Sequence, residues 1–236
     1  MRRWSFMLVA ALAVMIGGGP ALAQERVYTY RVVHPLYGAI GTYAKSAALA
    51  GETLRLESRL RVAVRILGIV VHREEGDYTV TFRGGRLLAF QATTVVNGKR
   101  ADVSGEVQGD HFVVTSPAGA VNAPLGVAPS DPWILNKRGT VSVVSMKNGQ
   151  IIPTQVTGGE AATVSVQGVA VTTRHFTAQG EQLQETWLND RGVPIIFRSA
   201  ENGTPIDFIL TSPLDDAGRT EPGLVPSLRL TPERER

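Results

Sequence analysis

Residues 53–66 read TLRLESRLRVAVRI, and their side chains alternate in character along the whole stretch. The even positions are Leu54, Leu56, Ser58, Leu60, Val62, Val64 and Ile66, and the odd ones are Thr53, Arg55, Glu57, Arg59, Arg61, Ala63 and Arg65. A period of two puts all the arginines on one face of a strand, whereas a helical period would scatter them round a cylinder. The pattern predicts a long strand with one face buried and the other wet. Strands usually run to about 10 residues. A longer one implies a large, twisted, curved antiparallel sheet.

Turn signals punctuate the rest of the chain. Glu75-Gly76-Asp77, Gly84-Gly85, Asn97-Gly98, Gln108-Gly109, Asn148-Gly149, Gly158-Gly159, Gln179-Gly180, Asn189-Asp190-Arg191-Gly192 and Asn202-Gly203 recur between short apolar runs. Such pairs supply the positive φ angles that tight hairpins need. The expected fold is mainly β: a large curved antiparallel meander, a half-barrel or open barrel. In VVHPLYGAIGTY (residues 32–43), Pro35 to Gly38 read as a turn. Gly41 then lies inside the returning strand, at a bulge, a bend or a close backbone approach.

Residues 116–139 break the pattern with Pro117, Pro124, Pro129 and Pro132. They predict a proline-rich loop, with SDPWILN forming one short helical turn capped by Ser130 or Asp131, and Trp133 anchoring the loop on the sheet. Residues 214–236 are charged, proline-rich and aperiodic, and read as a disordered or draped tail. Residues 1–23 have the order of a secretory signal peptide: Arg2 and Arg3, an apolar run too short to span a bilayer, and Ala21-Leu22-Ala23 before the expected cleavage site. Residues 24–213 are left as a single β domain. The expected location is the periplasm or the extracellular space, with no transmembrane span in the mature chain.

Composition narrows the chemistry. The chain has no cysteine, which excludes thiol nucleophiles, thiolate zinc sites and iron–sulfur clusters. The formal charge is +3, and only +1 without Arg2 and Arg3, so nothing in it points to nucleic acid. The four histidines, His34, His72, His111 and His175, form no metal-binding spacing. No Gly-x-Ser-x-Gly elbow and no phosphate loop occur, and neither a cofactor, a metal site nor a catalytic residue set is expected. His72 with Glu74 or Glu75 is the one acid–base pairing the sequence suggests.

Two surfaces remain. Arg55, Arg59, Arg61 and Arg65 would line one side of a straight strand over roughly 30 Å, either as a solvated outer face or as a binding face for anionic headgroups or an acidic partner. The candidate inward residues are Tyr28, Tyr30, Leu60, Val62, Val64, Phe82, Phe90, Trp133, Trp187, Phe197 and Phe208. They would be packed core, or the lining of a cleft for an apolar ligand.

Several stretches together resemble a family of exported bacterial β-sheet proteins known only as a domain of unknown function. They are Gly38 to Thr42, ILGIVVHREE, GGRLLAFQATTVVNGK, ETWLNDRGVPIIF and NGTPIDFIL, spread over most of residues 26–211. That family is similar in plan to the periplasmic lipoprotein carriers, whose curved sheet encloses an apolar cavity. The resemblance implies a half-barrel and ligand carriage, and brings no catalytic residues with it. Three readings follow: a non-catalytic module for a lipid-like ligand or an envelope protein partner, a hydrolase using His72, and an interaction protein using the arginine face.

Overall fold

The computed structural model describes residues 24–134, 136–201, 203–215 and 220. The expected leader and most of the expected tail lie outside the described residues. The strands are β1 (Gln24–His34), β2 (Gly38–Ala50), β3 (Thr53–Ile66), β4 (Ile69–Arg83), β5 (Arg86–Val96), β6 (Lys99–Gln108), β7 (His111–Ser116) and β8 (Gly119–Ala123). They continue with β9 (Ala128–Pro129), β10 (Gly139–Val144), β11 (Ile151–Val166), β12 (Val169–Gln179), β13 (Leu183–Leu188), β14 (Pro194–Glu201) and β15 (Thr204–Leu210).

These strands form one 15-stranded sheet. Neighbours in sequence pair antiparallel from β1 to β8 and from β10 to β15, and only the short β9–β10 pair is parallel. β1 also pairs with β15, through Tyr30↔Leu210 and Val33↔Asp207. The two halves of the meander are thereby joined at β1 and β15, the first and last strands among the described residues. The two edges are β8 and β9, which follow each other in sequence, and β9 lies against β5. The sheet is an open barrel with a seam between β8 and β9.

Alternation places Tyr28, Tyr30, Leu54, Leu56, Phe82, Phe90 and Phe112 inside, all buried. A smaller cluster of Val143, Val156, Phe176 and Leu188 sits under the second half of the sheet. At Gly41 the register between β1 and β2 shifts, with Val32 opposite Gly41 and Val33 opposite Ala39. A Cβ on Gly41 would lie 2.1 Å from the Arg61 carbonyl oxygen, so this glycine permits a close backbone approach at a bulge.

Three local expectations need correction. Glu75-Gly76-Asp77 is not a turn but runs through the middle of β4, and the hairpin lies instead at Leu67-Gly68. Gly76 is there for space, because the Tyr78 ring folds over it and a Cβ would meet its hydroxyl at 2.3 Å. Gly158-Gly159 likewise lies within β11, at a bulge opposite His175 and Phe176. The proline-rich stretch contains a hairpin strand and a bridge, β8 and β9, and among its described residues the expected helical turn is reduced to a single hydrogen-bonded turn capped by Asp131. Asp131 Oδ1 accepts a hydrogen bond from Trp133 N (2.9 Å) and the Asp131 carbonyl accepts one from Ile134 N (3.0 Å), which makes a tight turn. Pro117 sits in the β7–β8 turn and Pro129 at the sheet edge, where a missing N–H breaks no ladder.

Candidate functional site

The turns after β1, β3, β5, β10, β12 and β14 all fall at one end of the barrel, as antiparallel connection requires. At that end a cleft of about 650 Å³ opens between the two halves of the sheet. Its aromatic cluster comes from three strands: Phe197 and Phe208 stack at 4.3 Å, and Tyr43 meets them edge-on at 5.6 and 5.8 Å. Leu60, Val62 and Val64 of β3 and Ile206 of β15 line the cleft beside them. Met146, Lys147 and Ile152, around the β10–β11 turn, contribute further lining, and the loop residues Asp131 and Pro132 also border it. His34, His72, Glu181 and Gln182 add polar groups.

Of the inward candidates, Leu60, Val62, Val64, Phe197 and Phe208 line this cleft. Tyr28, Tyr30, Phe82, Phe90 and Trp133 are buried in packed core instead, Trp133 edge-on to Tyr28 at 4.9 Å. These side chains belong to one buried hydrophobic cluster, where an inward-facing residue packs on its neighbours. Trp187 is a correction of face. Its neighbours Thr186 and Leu188 are the buried ones, while Trp187 stacks flat on His175 at 4.4 Å with the Arg198 guanidinium 5.7 Å from its ring. Arg198 is itself held by Asp207 at 2.6 and 3.1 Å, which pushes its pKa up from the ordinary value.

The acid–base pairing is also split by the sheet. His72 and Glu74 border the cleft, 3.9 Å apart, and Lys147 Nζ is 3.0 Å from Glu74 Oε1. Glu74 is almost wholly buried. Glu75, one residue on, points to the other face and pairs with Arg73 at 2.5 Å. Among the described residues no three His, Asp or Glu side chains converge as metal ligands.

Lys45 is the charged residue that sequence reasoning passed over. It lies between Tyr43 and Ala47 on the inward face of β2, fully buried, in an ion pair with Asp131 and 5.1 Å from the centre of the Trp133 ring. Burial lowers its pKa, with Asp131 pulling the other way. Its inward place in the alternation was the available signal. Lys147 and Ile152 gave none, because the cleft is assembled from strands far apart in the chain.

On the opposite face three of the four arginines of the row are matched by carboxylates, and Arg65, in the outermost part of β3, is not matched among the described residues. Arg55 pairs with Glu57 at 2.7 Å, and Arg59 and Arg61 share Asp77 at 3.2 and 3.0 Å. A polar groove of about 800 Å³ on this face is lined by Glu57, Arg59, Asp77, Thr93 and Asp102 among others. Hydrogen bonds from Arg100 and Thr93 lower the pKa of Asp102. Among the described residues no helix is long and apolar enough to cross a membrane.

The fold and the cleft define a class: an all-β, open antiparallel barrel with an apolar cleft at one end. The chain belongs to the family described as Domain of unknown function (DUF6134), whose pattern matches residues 38–211. Among solved structures it is similar to a β-barrel-like protein of the domain of unknown function DUF1849 from Brucella abortus. That match has a TM-score of 0.61 and 11% identity, and covers 80% of this chain and 96% of the other. A DUF1089 family protein from Pseudomonas aeruginosa matches with a TM-score of 0.40 and 11% identity, covering 80% of this chain and 95% of that one. No curated protein matches the chain. At this identity the Brucella structure supports the barrel-like fold alone.

Proposed function

We propose that the protein is a non-catalytic module of the cell envelope that holds the apolar part of an amphiphilic, lipid-like ligand in the interior cleft. The observation that carries this reading is the cleft itself. Its volume of about 650 Å³ suits a small amphiphile, its aromatic cluster and valine wall are apolar, and polar groups gather with them. Each methylene that leaves water for such a surface contributes about 0.8 kcal/mol. Ten would supply roughly 8 kcal/mol, a micromolar affinity before any headgroup contact. The leader-like residues 1–23 support an exported protein.

The two other readings have less behind them. Three of the four arginines of that face, Arg55, Arg59 and Arg61, are paired with carboxylates, so the face between them offers an envelope partner little unmatched charge. A hydrolytic role for His72 rests on one carboxylate, Glu74, already engaged by Lys147.

Binding of an environment-sensitive apolar dye, with displacement by a fatty acid, tests the cleft. The wild type should bind the dye. Ile206→Trp, which fills the cleft, should weaken binding at least tenfold with an unchanged far-ultraviolet spectrum. Equal binding by the two proteins would reject the cleft as the site.

A further inference from the structure

The β3–β4 hairpin outreaches its neighbours. The last rung between β3 and β2 is Gly41↔Val62, and the last between β4 and β5 is Glu74↔Val96. β3 and β4 pair with each other up to Ile66↔Ile69. Residues 63–73 therefore project as a two-stranded ribbon, about 13 Å beyond those rungs at roughly 3.3 Å per residue. Arg73 and Asn97 tie its base to the β5–β6 turn.

The tip of this ribbon is apolar and wet. Leu67 is 97% exposed and Ile69 69%, and Ile66, Val70 and Val71 are exposed with them. The neighbouring β1–β2 turn adds Leu36, 81% exposed, and Tyr37. Backbone geometry sharpens the point. Leu67 has φ of 50° and Gly68 82°, which repeats Asn97-Gly98 (48° and 83°) and Gln167-Gly168 (54° and 78°). A left-handed residue is strained unless it is glycine or, to a lesser degree, asparagine or aspartate. Two of these three turns fill that place with a polar residue. The third fills it with leucine, unfavourable both in backbone and in exposure.

We propose that this hairpin, with the turn carrying Leu36 and Tyr37, docks the protein on an anionic phospholipid surface with the cleft facing the bilayer. A bilayer accepts protruding tips without needing a shaped pocket for each. Five to 10 Å of apolar insertion, about the reach of this ribbon, is the usual depth of an interfacial anchor. The charge around its base fits. Arg73 pairs with Glu75 and Arg100 with Asp102, and Arg65 and Lys99 near them add cations without a carboxylate in contact among the described residues, an excess at headgroup level. The apolar path is continuous, since Val62 and Val64 line the cleft and Ile66 follows them on the same face of β3. The docking surface goes beyond the cleft's contents and stands or falls without them.

The test is flotation of the exported form with vesicles of phosphatidylcholine alone or mixed with phosphatidylglycerol. The wild type should float with the anionic vesicles, and less so at high salt. Leu67→Asn, which suits the turn and should fold at least as well, should lower the partition coefficient about tenfold, or ~1.4 kcal/mol. Ile206→Trp should float as the wild type does, even if it has lost dye binding. Failure of the wild type to float, or equal flotation of Leu67→Asn, would overturn the proposal. So would loss of flotation in Ile206→Trp, which would assign vesicle binding to the cleft. A tip that drives only self-association without vesicles, or only capture of a protein, would overturn the lipid assignment.

Discussion

Lys45 is fully buried inside the barrel, held by Asp131 from the loop after β9 and lying near the Trp133 ring. A buried ion pair is poor evidence of net stabilisation, because desolvating two charges offsets most of their attraction. Breaking one is another matter, since the surviving charge has nowhere to go. Asp131→Ala should therefore lose about 3–5 kcal/mol. It removes the counter-charge of Lys45 and the acceptor that holds the Trp133 backbone N–H. Lys45→Met combined with Asp131→Leu should recover most of that loss by replacing the pair with apolar volume. Urea unfolding of the wild type, Lys45→Met, Asp131→Leu and the double variant gives the coupling, with Asp131→Ala measured beside them. A double variant no more stable than Asp131→Ala alone would show that the Asp131 turn, rather than the ion pair, is what the loop needs.

At the scale of the elements, the two matching turns give a reciprocal experiment. Leu67→Asn should raise stability by about 0.5–1 kcal/mol by easing the left-handed residue. Asn97→Leu, in the same geometry one hairpin away, should lower it by at least as much, since it also breaks the Asn97 Oδ1 bond to Arg73 N (2.9 Å). Melting temperatures of both variants check the pair of signs. These turns also show what could be read from the sequence. Alternation made β3 legible because both of its faces are consistent. It could not find Leu67-Gly68, where one residue of a turn pair is a bulky hydrophobe. It misread Gly76, whose glycine serves the Tyr78 ring and not a bend. The cleft was half legible for a related reason. Alternation tells which face a side chain takes but not its height along the barrel, so Leu60 and Phe208 could not be told from Phe82 and Phe90. Trp187 was misplaced because size was weighed above its register with the buried Thr186 and Leu188.

For the whole molecule, the barrel's interior holds four of the chain's five tyrosines, all but Tyr37. Tyr28, Tyr30, Tyr43 and Tyr78 all have pKa values raised from the ordinary 10.0, in each case chiefly by burial. A raised value in the folded state means that the fold keeps protons the unfolded chain releases. The contribution is complete below pH about 10 and is lost as pH climbs past it. Lys45 acts in the opposite sense, but only up to its ordinary value of 10.5, above which both states have shed that proton. Beyond that point the phenols set the slope. The four come from β1, β2 and β4, and they straddle both the packed core and the cleft, as Tyr43 and Tyr78 line the latter. They should therefore ionise together as the barrel opens, not one by one. Phenolate absorbance and far-ultraviolet circular dichroism, followed in one alkaline titration, should show a shared cooperative step above pH about 10.5. Gradual ionisation of all four phenols with the strand signal intact would mean that water reaches the interior freely. A cleft that wet would be a poor place to hold an acyl chain.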